Sequence, residues 1–177
     1  MGTVSADDYY TGTRAALAGG TTMLLDFAIP PPKGSHLKQY EDYRKRADAD
    51  VTSDYGLHVG IVHWDEGVEK EMEILVREKG VNSFKVFMAY KGAFMLTDDD
   101  IYKVLKKAKE LGAIVQVHAE NGELVVEGQK RIFDLGITGP EGHGMSRPAY
   151  VEGEATKRIA TLAWAAGNAP LYVVHVM

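Results

Sequence analysis

Three side chains in this sequence could close around one cation: Lys85, His118 and His175. Each lies in an apolar, β-branched run, in VNSFKVFMAYKG (81–92), AIVQVHAENG (113–122) and PLYVVHVM (170–177) respectively. Lys85 is the oddest of them. Flanked by Phe84, Val86, Phe87 and Met88, its ammonium would lose its water, and burial alone depresses a lysine pKa by roughly 3 to 5 units. Period-two alternation puts Ser83, Lys85 and Phe87 on one face of their strand, Gln116 and His118 on one face of the next, and Val173 and His175 on one face of the last. A lone strand histidine is usually a hydrogen-bonded core residue, and a lone lysine usually snorkels from an edge. Together they support a different chemistry. A buried, neutral amine reacts with carbon dioxide to give a carbamate, a two-oxygen anion able to bridge two divalent cations while neutral imidazoles complete their shells.

The elements that must position these groups are legible from periodicity. Two more apolar runs, TTMLLDFAIP from Thr21 and DYGLHVGIVHW from Asp54, join the three above as strands, four of the five rich enough to be covered on both faces. Between them the pattern turns helical. Thr97 can cap a helix with Ile101, Val104, Leu105, Ala108 and Leu111 on one side, Asp98 to Asp100 at its positive end and Gly112 as its stop. Asp65 to Lys79 repeats this with Val68, Met72, Leu75 and Val76 inward and Gly80 as the stop, and Pro148 and Gly167 bracket a last helix. A helix precedes the first strand. Strand–helix alternation at steps of roughly 30 residues implies right-handed βαβ units and a parallel sheet, open or closed into a barrel. One interval is longer: between His118 and Pro170 lie two helical stretches and the loop GITGPEGHGMSRP (136–148), an excursion of the kind in which α/β enzymes keep substrate contacts.

Composition narrows the partners. With 177 residues, 45% hydrophobic and 25% charged, the chain has a globular composition, and a net charge of -5 argues against nucleic acid or an anionic membrane as partner. There is no cysteine, so a metal must be held by histidine, carboxylate or a less common donor. No run approaches the ~18 apolar residues of a membrane span, and the expected location is cytoplasmic.

The runs VNSFKVFMAYKG, AIVQVHAENG, GITGPEGH and LYVVHVM, with GTRAALAGGTTMLLDFAIP before them, resemble the dihydropyrimidinase and hydantoinase branch of the amidohydrolase superfamily over nearly the whole chain. The resemblance implies a (β/α)8 TIM barrel of the metal-dependent hydrolase type, with two zinc ions that serve the opening of cyclic ureides to N-carbamoyl amino acids. By it, Lys85 is the carbamylated bridging lysine on the fourth barrel strand, and His118 and His175 are the ligands ending the fifth and sixth. Tyr90 matches the tyrosine whose hydroxyl stabilises the developing oxyanion. Phe94 and Met95, with Phe87, match the wall around the substrate substituent, and Glu120 and Asn121 are placed to orient His118. His36, His58, His63 and His143 match no ligand and read as packing, surface or loop residues; Asp26 has no functional account. A small cyclic ureide substrate and a homotetramer complete what the family implies.

The expected architecture is therefore α/β, a partial barrel of about five βα units, corresponding to strands 2 to 6 of the family barrel, in one domain over residues 1–177. The family's first strand with its His-any-His pair, its last two strands with a late aspartate, and its small β domain are not matched. Lys85, His118 and His175 are the ligand set of the second metal alone, so the expectation is at most one weakly held zinc and little hydrolase activity from this chain by itself. Two open sheet edges, near Thr21 and Met177, imply poor solubility. The alternative is a non-catalytic scaffold like the collapsin response mediator proteins, which act by protein association. Those relatives replace the bridging lysine and some of the histidines, whereas this sequence keeps them.

Overall fold

Each helix begins where a side chain can satisfy its free amides. In the computed structural model, which describes residues 4–176, Asp8 and Thr11 form a reciprocal capping box at α1 (Tyr9–Ala18). Ser35 caps α2 (His36–Asp50) by accepting the Lys38 amide, Asp65 caps α3 (Glu66–Arg77) through Val68, and Thr97 caps α4 (Asp98–Glu110) through Asp100. Gly80 and Gly112, at φ +72° and +73°, turn the chain after α3 and α4 in the left-handed region that a side chain disfavours. The strands between are β1 (Met23–Ala28), β2 (Asp54–Gly60), β3 (Ser83–Phe87), β4 (Ile114–His118) and β5 (Leu171–Val173). The long excursion after β4 contains α5 (Gly122–Asp134), α6 (Glu141–Ser146) and α7 (Ala149–Ala165). It holds one short helix more than the periodicity implied.

All five strands pair in parallel, in chain order β1-β2-β3-β4-β5. The fold is α/β with the successive βα units of a barrel. The aliphatic core lies between the helices and one sheet face: Val59, Phe84, Val86, Val115 and Val117 meet Met72, Leu75, Ile101, Leu105 and Ile159, all fully buried. Each such side chain contributes about 1.5–3 kcal/mol on burial. Asp26 also points to the helix side of β1, where it accepts a hydrogen bond from Tyr9 Oη at 2.8 Å and fastens α1 to the sheet. Register then fixes what the other face carries. Phe27 lies beside His58, Gly60 beside Lys85, Lys85 beside Gln116 and Phe87 beside His118. The edge strands leave apolar side chains uncovered, in line with the two open edges expected, with Leu25 of β1 half exposed and Tyr172 of β5 55% exposed. Met177, near which one open edge was expected, lies outside the described residues.

Candidate active site

Lys85 is 5% exposed. Its Nζ lies 5.6 Å from the Phe27 ring centroid and 5.4 Å from that of Phe87, and no ion pair or hydrogen bond reaches it among the described residues. Burial pulls its pKa down from 10.5 to about 8, so roughly a tenth of the amine is neutral at pH 7 and open to carbon dioxide. Below it a polar floor closes the sheet face. His58 Nδ1 contacts Ser83 Oγ, and Gln116 Nε2 lies 2.9 Å from the same imidazole nitrogen. His58 is thus a strand residue facing the site, and burial, then the Lys85 charge, hold its pKa below the usual histidine value.

The two histidines meet. His175 Nε2 stands 3.0 Å from His118 Nδ1, with the ring centroids 4.7 Å apart. Simple alternation, which grouped His175 with Val173, gives the wrong route to this contact. Register pairs Val117 with Val173 on the helix side, so a straight strand would carry His175 away from His118. Instead β5 ends at Val173, the chain bends at Val174, and His175 turns back toward the site. A carboxylate stands behind each ring: Glu120 Oε2 lies 2.6 Å from His118 Nε2, and Glu152 Oε1 lies 3.5 Å from His175 Nδ1. Glu120 is in turn held by Arg147 Nη1 at 3.4 Å. Asn121 does not orient His118. It caps α5 through the Leu124 amide and donates to Glu154.

These residues fit a divalent metal by their donor chemistry. A carboxylate only accepts, so Glu120 keeps the His118 proton on Nε2 and leaves a lone pair on Nδ1, aimed at His175. Burial lowers the His118 pKa further than Glu120 raises it, keeping the ring neutral. The 3.0 Å nitrogen separation is a few tenths of an ångström short of the ~3.3 Å that two ligands span on a tetrahedral zinc with bonds near 2.05 Å. No cluster of three or more histidine, aspartate or glutamate side chains forms a metal site among the described residues, so the third donor here would be Lys85.

An aromatic group roofs this arrangement. Tyr90, just past β3, sits at φ +65°, and its carbonyl receives the amides of Ala93 and Phe94 in a tight turn. A non-glycine residue in that region is held there by its surroundings, and the turn brings the Tyr90 ring within 4.9 Å of His118. Burial, reinforced by the Glu120 charge, raises its pKa and keeps the phenol a donor. Phe87 packs against Phe94 at 5.4 Å and Tyr90 at 5.8 Å. Of the residues singled out from sequence, His118, His175, Tyr90, Phe87 and Phe94 lie together, and Lys85 stands on the same sheet face beside Phe87. Sequence passed over His58, Arg147 and Glu152; Glu152 belongs to the buried stripe of α7 with Val151, Ala155, Ile159 and Ala163, and an acid on such a stripe was the available signal.

A parallel α/β sheet with imidazoles and an amine toward the carboxyl ends of adjacent strands has its polar groups where the (β/α) barrel class keeps its active sites. The amidohydrolase family profile matches residues 2–149, and the chain belongs to that family. It is 57% identical over 176 residues to a dihydropyrimidinase of Dictyostelium discoideum, covering 99% of this chain and 35% of that protein. It is 53% identical over 176 residues to the human dihydropyrimidinase-related protein 5, covering 99% of this chain and 31% of that one. The solved D-hydantoinase of Bacillus sp. AR9 superposes with a TM-score of 0.96 at 44% identity, over 99% of this chain and 38% of that chain. The chain spans about a third of the length of the curated relatives it matches.

Proposed function

We propose that this chain carries part of the active site of a zinc-dependent cyclic amidohydrolase acting on dihydropyrimidines or hydantoins. The observation that carries the reading is the contact of His118 Nδ1 with His175 Nε2, with a buried carboxylate near each ring and a desolvated lysine on the same sheet face. His118, His175 and a carbamylated Lys85 would hold zinc, which when bound supplies a Lewis acid and a water acidic enough to act as nucleophile at neutral pH. The chain's own residues do the rest. Glu120 and Arg147 keep His118 in its ligand tautomer, Tyr90 donates its hydroxyl to the carbonyl oxygen as negative charge develops there, and Phe87 and Phe94 wall the ring substituent. Substrate is a small cyclic ureide, and the family's homotetramer and cytoplasmic location are carried over as parts of the same proposal.

With three donors on the described face, the 177-residue chain is expected to take up at most one zinc, weakly, and to hydrolyse dihydrouracil little on its own. Equilibrium dialysis of the purified chain with zinc and bicarbonate tests this. Uptake of one ion that Lys85→Met, His118→Ala and His175→Ala each abolish supports the reading; uptake indifferent to all three sinks it. The match to dihydropyrimidinase-related protein 5 favours one second reading, a scaffold acting by protein association. Binding of a protein partner with the three donors dispensable would select it.

A further inference from the structure

Tyr90 occupies a backbone conformation that a side chain disfavours, at φ +65°, and Gly92 follows at φ +80°. Such a residue persists where its surroundings over-determine it, so whatever fastens this turn also sets where the phenol lies. The inner fastenings are backbone bonds. The Met88 amide donates to the His118 carbonyl, the Gly122 amide donates to the Met88 carbonyl, and the Leu96 amide closes the far end on the Phe87 carbonyl, each at 3.0 Å. The outer fastening is an ion pair: Lys91 Nζ, on the residue after Tyr90, donates to Glu123 Oε2 in the first turn of α5.

The anchor for that pair is itself tied down. The Asn121 side chain caps α5, the Asn121 amide donates to the Val151 carbonyl of α7 at 3.1 Å, and Asn121 Nδ2 donates to Glu154 at 2.7 Å. An acid in a first helical turn is also favoured by the positive end of the helix, so Glu123 suits its place independently of Lys91.

We propose that Lys91 and Glu123 are positioning residues for Tyr90: their ion pair clasps the strained turn to α5 and so keeps the Tyr90 ring beside His118, with the ring centroids 4.9 Å apart. The inference rests on the oxyanion role given to Tyr90 above, and it gives the first helix of the excursion a share in that role. Both side chains of the pair are about half exposed, and an exposed pair shifts a local equilibrium by only about two- to fivefold. A turn built on a left-handed tyrosine is balanced on a similar scale, so a bias of that size changes how often the phenol is in place.

Amide exchange reads the opening of the turn, and NMR contacts between the Tyr90 and His118 rings read the position of the phenol. In the wild-type chain, raising the ionic strength to about 1 M screens the pair. Exchange of the Phe94 amide, which donates to the Tyr90 carbonyl, is expected to speed up by about two- to fivefold, with the ring contact weakened in step. Lys91→Met and Glu123→Gln each give that faster exchange at low salt and abolish its salt dependence. Lys91→Arg keeps the slow exchange, and Lys91→Glu combined with Glu123→Lys restores it, while amides of α3 stay as they were throughout. Phe94 exchange indifferent to both salt and Lys91→Met overturns the proposal, as does faster exchange that leaves the ring contact unchanged. A chain that shows the salt and variant effects yet takes up no zinc keeps the clasp and loses the amidohydrolase reading.

Discussion

Lys85 makes the fold less stable in its charged form, and the pH dependence of stability should show it. Its folded pKa, about 8, lies below the usual 10.5, so the native state disfavours the ammonium. Stability should then rise as pH climbs from about 8 toward about 10.5, by about 3 kcal/mol at most. Lys85→Met is expected to be more stable than wild type by ~1–3 kcal/mol near neutral pH, to lack that alkaline rise in urea titrations, and to lose any carbon dioxide adduct seen by intact mass spectrometry. His36 gives a window of the same sign at acid pH. Its side chain is fully buried, with Nδ1 3.3 Å from Glu71 and its ring 4.8 Å from that of His63, which in turn faces Asp65. Burial, then repulsion from His63, depresses its pKa from 6.5 to about 4. The neutral ring is favoured in the fold, so stability is full above pH 6.5 and falls as pH drops toward 4, by up to ~3 kcal/mol. Denaturant midpoints across that range should flatten in His36→Leu. The predicament of Lys85 was legible because five consecutive neighbours are apolar or small; the orientation of His175 was not, because a single bend at Val174 reverses the parity that strand periodicity assigns.

Helix starts and stops were the easiest features to read. The pattern from Asp65 to Lys79 becomes α3 over Glu66–Arg77, with Asp65 as the cap, and Thr97 caps α4 as expected. Caps act through local hydrogen bonds written in a few adjacent residues. Thr97→Ala should therefore cost about 1 kcal/mol in chemical denaturation, with no effect on zinc uptake. The stretch 136–148 hid α6 because its glycines and prolines read as loop, and nothing local announces that Arg147 reaches back to Glu120. Close approach between elements is equally silent in sequence. Gly122, at the start of α5, lies where a Cβ would come within 2.9 Å of the Met88 carbonyl oxygen and 3.0 Å of Ala89 Cα, both on the segment leading into Tyr90. Gly122→Ala is expected to push that segment away, costing ~1–3 kcal/mol of stability and weakening the Tyr90–His118 ring contact, visible as altered Tyr90 ring shifts by NMR.

At the scale of the molecule, the parallel order of the sheet followed from strand–helix alternation, and its exposed margins were expected of a barrel of only five βα units. Leu25 and Tyr172, at opposite edges of the sheet, are each at least half exposed. Unpaired edges with apolar side chains invite strand addition. The purified chain should associate with increasing concentration in light scattering, and Leu25→Lys combined with Tyr172→Lys should suppress this while leaving the circular dichroism spectrum unchanged. The aliphatic core belongs to one side of the sheet, and the other side bears amine, imidazole, amide and hydroxyl groups. Side chains on the reactive side can consequently be exchanged with little loss of cohesion, since few of them fill the hydrocarbon interior. Such a division leaves the scaffold tolerant of new chemistry, because retuning what it binds does not require rebuilding what holds it together.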